Sequence, residues 1–486
     1  MKTFKESRGM MAVIVMLAGL CCGLAGAQGP LGYVPDDAVA AVFLPSVADV
    51  ESAGSFLMKI PAVGNAISPD RVLGDLLYQL NLGATTTYTD FLKAMGVNVN
   101  APAAVMLLPD KKMGAVLPLA SRETAEKQLT ELLGTGLDPV EEGGFKGAYS
   151  VMDGVAYALS DAMAVVGSDD VTVKKIAAAG GSAKAFSYQP LNELAVLSAF
   201  DRLKTANLLP QGLPGASMET TYQQLAGIMD EMVVAAGEMG GSAYVKLGLR
   251  NPGGANIEKP APLGLHALLP ANAAVVLNLR NNANLINQIR PLVAANPALS
   301  KNMAIIMLVS QMLGNEVAIG LTGMENGVPM GLVAAHLSRP DSVKMLLGMA
   351  GVKPDTPDEV YNNASIFTIR DVKEGVNVYV ATAGAYLLVS AKEDQIKGAL
   401  DKLDASGAIK ADAGSSYDSL ANRGLNGFVR LDGSKLDASA LPADLAALSQ
   451  VNAEMILGIN GAWYDNRLEL PGGFDQVGKL VSLFVK

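Results

Sequence analysis

The chain repeats itself, and a repeat restricts the possible folds more than any composition can. Val34-Pro35-Asp36-Asp37-Ala38, followed by the apolar run to Val42, returns as Leu269-Pro270-Ala271-Asn272-Ala273 ahead of Ala274–Leu277. In both places a proline removes a backbone donor, a short polar turn follows, and a strand signal begins. Five more echoes keep the same order. Met113-Gly114-Ala115-Val116 returns as Met330-Gly331-Leu332-Val333, and Ser121-Arg122 as Ser338-Arg339. Tyr157-Ala158-Leu159 returns as Tyr379-Val380-Ala381, Glu231-Met232 as Glu454-Met455, and Pro252-Gly253-Gly254 as Pro471-Gly472-Gly473. These five are spaced by 217 to 223 residues, whereas the first is spaced by 235, which implies gaps in the region behind it. The expected organisation is module 1 over residues 28–254, a linker over 255–264 rich in Pro and Gly, and a duplicate module 2 over 265–473. Residues 474–486 are expected to form a helical tail on module 2.

Within module 1, short apolar runs predict strands near Ala38–Leu44, Ala103–Leu108, Met113–Leu119, Phe145–Val151, Val155–Leu159, Ala162–Val166 and Leu194–Phe200. A closing hairpin pairs Met232–Ala236 with Ala243–Leu249, and in module 2 Asn460-Gly461 marks its turn. Helices are expected from Ser46 to about Lys59, at Pro69–Leu82, Phe91–Met95 and Met218–Asp230, after the cap Ser121, and after Asp169 or Ser168 as cap. Strands joined by tight turns imply antiparallel pairing. The expected fold class is therefore α+β, with two similar modules, each a mainly antiparallel sheet of about eight or nine strands with helices on one face.

The first residues read as an export signal. Lys2, Lys5 and Arg8 precede the apolar or small-residue run Met10–Leu20, and Ala25-Gly26-Ala27 is a small-x-small cleavage site ahead of Gln28. Lipid modification at Cys21 or Cys22 fits poorly, because neither has a small residue before it and Leu three positions back. An uncleaved anchor over Met10–Ala27 is the other alternative; the short apolar run favours cleavage. Cleavage leaves 34 basic and 46 acidic residues, which disfavours nucleic acid as a partner. It also removes both cysteines, and with them any disulfide or Cys metal site. The longest later apolar run, Met303–Leu313, is too short to span a bilayer, so no transmembrane segment is expected after signal removal.

The opening L/V-P-x-D/N-A motif and the closing helix plus amphipathic hairpin resemble modules of bacterial exported proteins of an uncharacterised (domain of unknown function) family with duplicated α+β modules. That resemblance covers most of the mature chain. It implies an exported α+β protein and brings no functional residue with it.

Chemistry is thinly supported. His266 and His336 occupy different places in the module and read as structural, with no histidine at the matching points of module 1. No metal motif, nucleophile elbow or phosphate loop is present, and no cofactor is expected. Glu141-Glu142, Asp169-Asp170, Asp36-Asp37 and Asp110 lie at turns or helix starts, where capping favours acids. Arg122 and Arg339 recur after strands at helix starts and are candidate anion or partner contacts, with an ion pair inside each module as the structural reading. Met303, Met307 and Met312 fall on one nearly all-apolar helix and are candidates for an adaptable apolar groove, or else for a buried core.

Together these readings predict a non-enzymatic exported protein, periplasmic, extracellular or tied to the envelope, that binds an apolar small molecule or an envelope protein. The alternative is a carboxylate-dependent hydrolase with its cleft at the module interface. An outer-membrane barrel is disfavoured by frequent helices and an aromatic content of 5%. N-terminal sequencing of protein recovered from intact cells should begin at Gln28, and Ala27→Arg should leave the precursor uncut.

Overall fold

The structure, a computed structural model, describes residues 29–48, 88–133, 138–150, 155–181, 183–190, 193–206, 229–239, 241–252, 262–280, 312–325, 328–373, 375–410, 413–439, 441, 446–473 and 476. The signal with Ala27 and Gln28, the helix predicted at Pro69–Leu82, and most of those predicted after Ser46 and at Met218–Asp230 lie outside the described residues. So does the tail, apart from Gln476. The fold is strand-rich, and every strand pairing described is antiparallel. The chain divides into two compact units at Gly253/Gly254.

The first unit holds β1 (Ala40–Leu44), β2 (Ala103–Leu107), β3 (Met113–Pro118), β4 (Asp138–Glu142), β5 (Phe145–Ser150), β6 (Val155–Leu159), β7 (Met163–Gly167), β8 (Leu194–Ala199), β9 (Glu231–Met239) and β10 (Ser242–Arg250). Its helices are α1 (Tyr88–Ala94), α2 (Arg122–Leu133), α3 (Asp170–Ala178) and α4 (Phe200–Thr205). The pairings give the order β4-β5-β6-β7-β3-β2-β1-β8-β9-β10.

The second unit holds β11 (Val275–Arg280), β12 (Leu313–Glu325), β13 (Val328–Leu337), β14 (Glu359–Tyr361), β15 (Ala364–Lys373), β16 (Val376–Ala383), β17 (Tyr386–Ser390), β18 (Gly427–Asp432), β19 (Asn452–Asn460) and β20 (Trp463–Pro471). Its helices are α5 (Ser342–Met349), α6 (Glu393–Leu400) and α7 (Asp418–Arg423). Its order is β14-β15-β16-β17-β13-β12-β11-β18-β19-β20. The two orders match strand for strand.

Three expectations need correction. The described strands number ten in each unit, rather than eight or nine. The missed strand in the first unit is β4, Asp-Pro-Val-Glu-Glu, whose residues have little intrinsic strand preference. It forms because Gly143-Gly144, with φ of +56° and +83°, makes a two-residue turn onto β5. In the second unit Asn362-Asn363, at φ +47° and +64°, makes the corresponding turn between β14 and β15. A side chain at Gly143 would strike the carbonyl of Ala177 on α3, at 2.6 Å. Asn362 instead uses its side chain, donating from Nδ2 to Asp401 just beyond α6 at 2.9 Å.

Helices also pack on both sheet faces, not one. In the first unit α2 packs Ala125 and Leu129 against Tyr157, Leu159 and Ala164. Ile176 and Thr172 of α3 lie over Gly114 and Gly167 on the opposite face. In the second unit α5 covers Phe367 and Val380, while α6 covers Ile366, Ala381 and Leu388. The physical reason is visible in β6, Val-Ala-Tyr-Ala-Leu, where four of five residues are buried. A strand without polar alternation needs cover on both sides.

The ladders also adjust the sequence echoes. Val166 faces Ala115 and Tyr157, and Val389 faces Val333 and Val380. Tyr157 therefore corresponds to Val380, not Tyr379, and Ala115 to Val333, not Leu332. One residue matters because it exchanges faces. Tyr157 and Val380 are 3% and 6% exposed, whereas Tyr379 is only partly buried.

Each opening proline turn is held by a cation that follows the strand beside β1 or β11. Arg202, on α4 after β8, donates from Nη1 to the carbonyls of Asp36 at 2.7 Å and Ala38 at 2.6 Å, and from Nη2 to that of Ala185. Lys435, after β18, donates from Nζ to the carbonyls of Ala271 at 3.2 Å and Ala273 at 3.4 Å. Leu263 and Gly264, at the end of the predicted linker, belong to the second unit: Leu263 lies in its core, and the Gly264 amide donates to Glu316.

Because hydrogen bonds to a charged donor are worth about 1.5 to 3 kcal/mol, Arg202→Met should lower stability by about 2 kcal/mol in urea unfolding. Lys435→Met, with longer and fewer bonds, should lose less than about 1 kcal/mol.

Candidate functional site

The last hairpin of the first unit turns the usual polarity of a strand around. Along β10, Tyr244, Lys246, Gly248 and Arg250 share one face with Glu231, Val233, Ala235 and Gly237 of β9. The opposite face carries Ala243, Val245, Leu247 and Leu249 with Met232, Val234 and Ala236. Charged groups lie on the buried side: Lys246 is 9% exposed and Glu231 7%. Aliphatic groups lie outward, with Val245 at 45% and Leu247 at 40%.

The inward charges survive burial because each is partnered, as buried charge requires. Ser187, Tyr188 and Glu193 lie against this face. Glu231 accepts from the Ser187 amide at 2.8 Å and its hydroxyl at 2.7 Å. Arg250 Nη1 bridges Asp230 at 2.8 Å and Glu231 at 3.1 Å. Glu193 accepts from the hydroxyls of Tyr188 and, at 2.6 Å, Tyr244. The Lys246 ammonium sits 4.8 Å from the centre of the Tyr188 ring, within cation–π range. Burial raises the Asp230 carboxyl above the ordinary aspartate range, with Arg250 opposing and Glu231 reinforcing that shift.

The second unit repeats the inward charge. Arg467 and Glu469 of β20 lie 3.7 Å apart, and Arg423 of α7 also pairs with Glu469. Its outward face is more mixed, since Asn466 and Leu468 stand where the first unit has Val245 and Leu247. Met455, opposite Leu468, is 40% exposed.

The residues singled out from sequence are scattered. Met303 and Met307 lie outside the described residues, and Met312 is buried, its carbonyl accepting from the Ser338 amide at 3.0 Å. Arg122 opens α2 and pairs with the exposed Asp161 at 2.8 Å. Arg339 is exposed and lies three residues ahead of α5 rather than at its start.

The candidate acids other than the exposed Glu142 are taken up locally. Asp169 caps α3, accepting from the Thr172 amide at 2.7 Å, and pairs with Lys112. Its Lys112 and Thr172 bonds outweigh burial, the largest single influence, and hold its carboxyl below the ordinary range. Asp110 also faces Lys112, Asp170 pairs with Lys174, and Glu141 pairs with Lys146. Asp36 accepts from the Lys184 amide and Asp37 pairs with Lys175, beside an open concavity of about 670 Å³. Sequence reading missed the β9–β10 inversion because it assigned polar residues to solvent by default. The strict alternation Tyr-Val-Lys-Leu-Gly-Leu-Arg was visible, but not which side faced in.

No family model and no curated protein matches the chain. Among solved structures it is similar to crystal forms I, III and IV of TP0453, at 10–11% identity and TM-scores of 0.25–0.26, over 46% of this chain and 79–80% of that one. Among the described residues no helix is long and apolar enough to cross a membrane, and no group of three or more His, Cys, Asp or Glu could hold a metal.

Glu231→Ala should leave Ser187 without its acceptor and Arg250 with Asp230 alone, and cost about 2 to 3 kcal/mol. Asp230→Asn should be nearly neutral at pH 7. A carboxyl raised in the folded state weighs against folding when ionised, and that penalty fades as pH falls through its folded value. Wild type should therefore gain on Asp230→Asn as unfolding is followed from pH 7 toward pH 4.

Proposed function

We propose that this is a non-enzymatic exported protein of the periplasm or cell envelope, built by duplication of one ten-strand module, that binds an apolar ligand or a protein partner. The outward face of the β9–β10 hairpin is the proposed contact surface. One observation carries this reading: Val245 and Leu247 are exposed on the same strand that buries Lys246. Keeping a cation inside and two aliphatic chains outside opposes the hydrophobic effect unless something apolar meets the outer face. The matching strand orders and the paired cation clamps support duplication. Export rests on the sequence of residues 1–27.

The alternative of a carboxylate-dependent hydrolase draws less support, because most of the candidate acids within the first unit are engaged in caps and ion pairs. The apolar dye 8-anilinonaphthalene-1-sulfonate provides a direct test. Its fluorescence with the native protein should fall several-fold in the double variant Val245→Lys, Leu247→Lys, with far-UV circular dichroism unchanged. Equal dye binding by the two folded proteins would reject this surface.

A further inference from the structure

The two units treat the space beside their opening turns differently. A 3-10 turn precedes each opening proline, Pro30–Tyr33 in the first unit and Leu265–Leu268 in the second. The helices α3 and α6 can be aligned residue by residue. Each starts with an acid paired to a lysine one turn on, Asp170 with Lys174 and Glu393 with Lys397. The buried positions Val173, Ile176 and Ala177 return as Ile396, Ala399 and Leu400. That register places Ala179 in the first unit where the second has Lys402.

Lys402 fills its place. It donates from Nζ to the carbonyls of Ala267 at 2.6 Å and Leu269 at 2.9 Å, in and just after the 3-10 turn. Burial pulls its ammonium below the ordinary lysine range, so water is partly excluded there. The alanine at the same position of the first unit has no such group. Beside it lies the concavity of about 670 Å³, which Ala179 and Ala183 line together with Asp36, Asp37, Lys175 and Lys184. The turn differs in step: Asp36 and Asp37 stand where the second unit has Ala271 and Asn272. The unit that carries its own ammonium thus lacks acids in the turn, and the unit with the acids lacks the ammonium.

We infer that this concavity binds a small zwitterion, an amino acid or a short peptide, whose ammonium stands in for that of Lys402 and meets Asp36 while its carboxylate meets Lys184. Asp37 is already paired with Lys175. Asp36 accepts the Lys184 amide at 3.3 Å through Oδ1, and its Oδ2 has no donor among the described residues. The exposed Lys184 side chain forms no ion pair among the described residues. One carboxylate oxygen and one ammonium are therefore open to a ligand that carries both charges. The volume falls in the range of small-molecule sites, about 300 to 1,000 Å³, but the lining is charged where such sites are mostly apolar. Two lysines against two aspartates suit neither a simple anion nor a polycation. The site is independent of the outward face of the β9–β10 hairpin.

Calorimetric titration of the full-length protein with L-alanine and tri-L-alanine tests this, alongside the N-acetyl and C-amide forms of the tripeptide. Trialanine should bind saturably, and each capped form, lacking one charge, should bind about tenfold more weakly or worse, as expected for loss of a hydrogen bond to a charged group. Asp36→Asn should weaken trialanine to a similar degree. Lys184→Ala should bring trialanine down to the affinity of its amide, because both then lack the same contact. Ala179→Lys, which supplies the second unit's ammonium, should abolish binding while far-UV circular dichroism stays native. Absence of saturable binding by both alanine and trialanine would overturn the inference. Folded Asp36→Asn and Lys184→Ala proteins that bind trialanine as wild type does would overturn it as well.

Discussion

Both units are organised around a strand that enters their sheet directly after a proline turn. The turn ends with carbonyls that its own ladder cannot use, and unpaired backbone acceptors are expensive once sheltered from water. A cation supplied more than 150 residues later closes them. Arg202 does this for β1 and Lys435 for β11, each from the end of the strand that flanks the opening strand. The clamp ties the beginning of each unit to a late part of it, and the remaining strands extend outward on either side of that pair.

On one side of the opening strand the sheet is covered twice, by α2 and α3 in the first unit and by α5 and α6 in the second. On the other side lie the long closing hairpins, whose buried faces mix ion pairs with aliphatic side chains such as Val233, Ala235 and Ile456. The two halves of each sheet thus solve burial differently. The doubly covered half relies on apolar area, at roughly 1.5 to 3 kcal/mol for each large side chain fully buried. The hairpin half adds partnered charge to its apolar contacts, and removing one partner exposes the other to an apolar setting.

Much of this could be read from the residues. The Pro-x-D/N-A openings, the Asp169 cap and the Asn460-Gly461 turn each act locally, so their signals sit within a few positions of their effects. The features that escaped depend on distant partners. The strand β4 exists because Gly143-Gly144 lets it fold back on β5, although Asp138, Pro139, Glu141 and Glu142 have little strand preference of their own. The second helical cover was hinted at by unbroken apolar strands such as β6, which were assigned to a one-faced sheet. The echo of Tyr157 in Tyr379 was a match of letters, whereas the ladder pairs by environment and selects Val380. The inward side of β10 could not be chosen without knowing that Ser187, Tyr188 and Glu193 lie against it.

The hairpin turns at Gly143-Gly144 and Asn362-Asn363 show how two units with one strand order differ in detail. Both dipeptides tolerate the left-handed backbone that the turn demands, so the shape survives the exchange. Their reach does not. A bare glycine must let the neighbouring helix end come close, whereas asparagine can stand off and hold Asp401 by its side chain. Exchanging the two dipeptides between the units would keep each bend but leave one tip crowded and the other without its anchor.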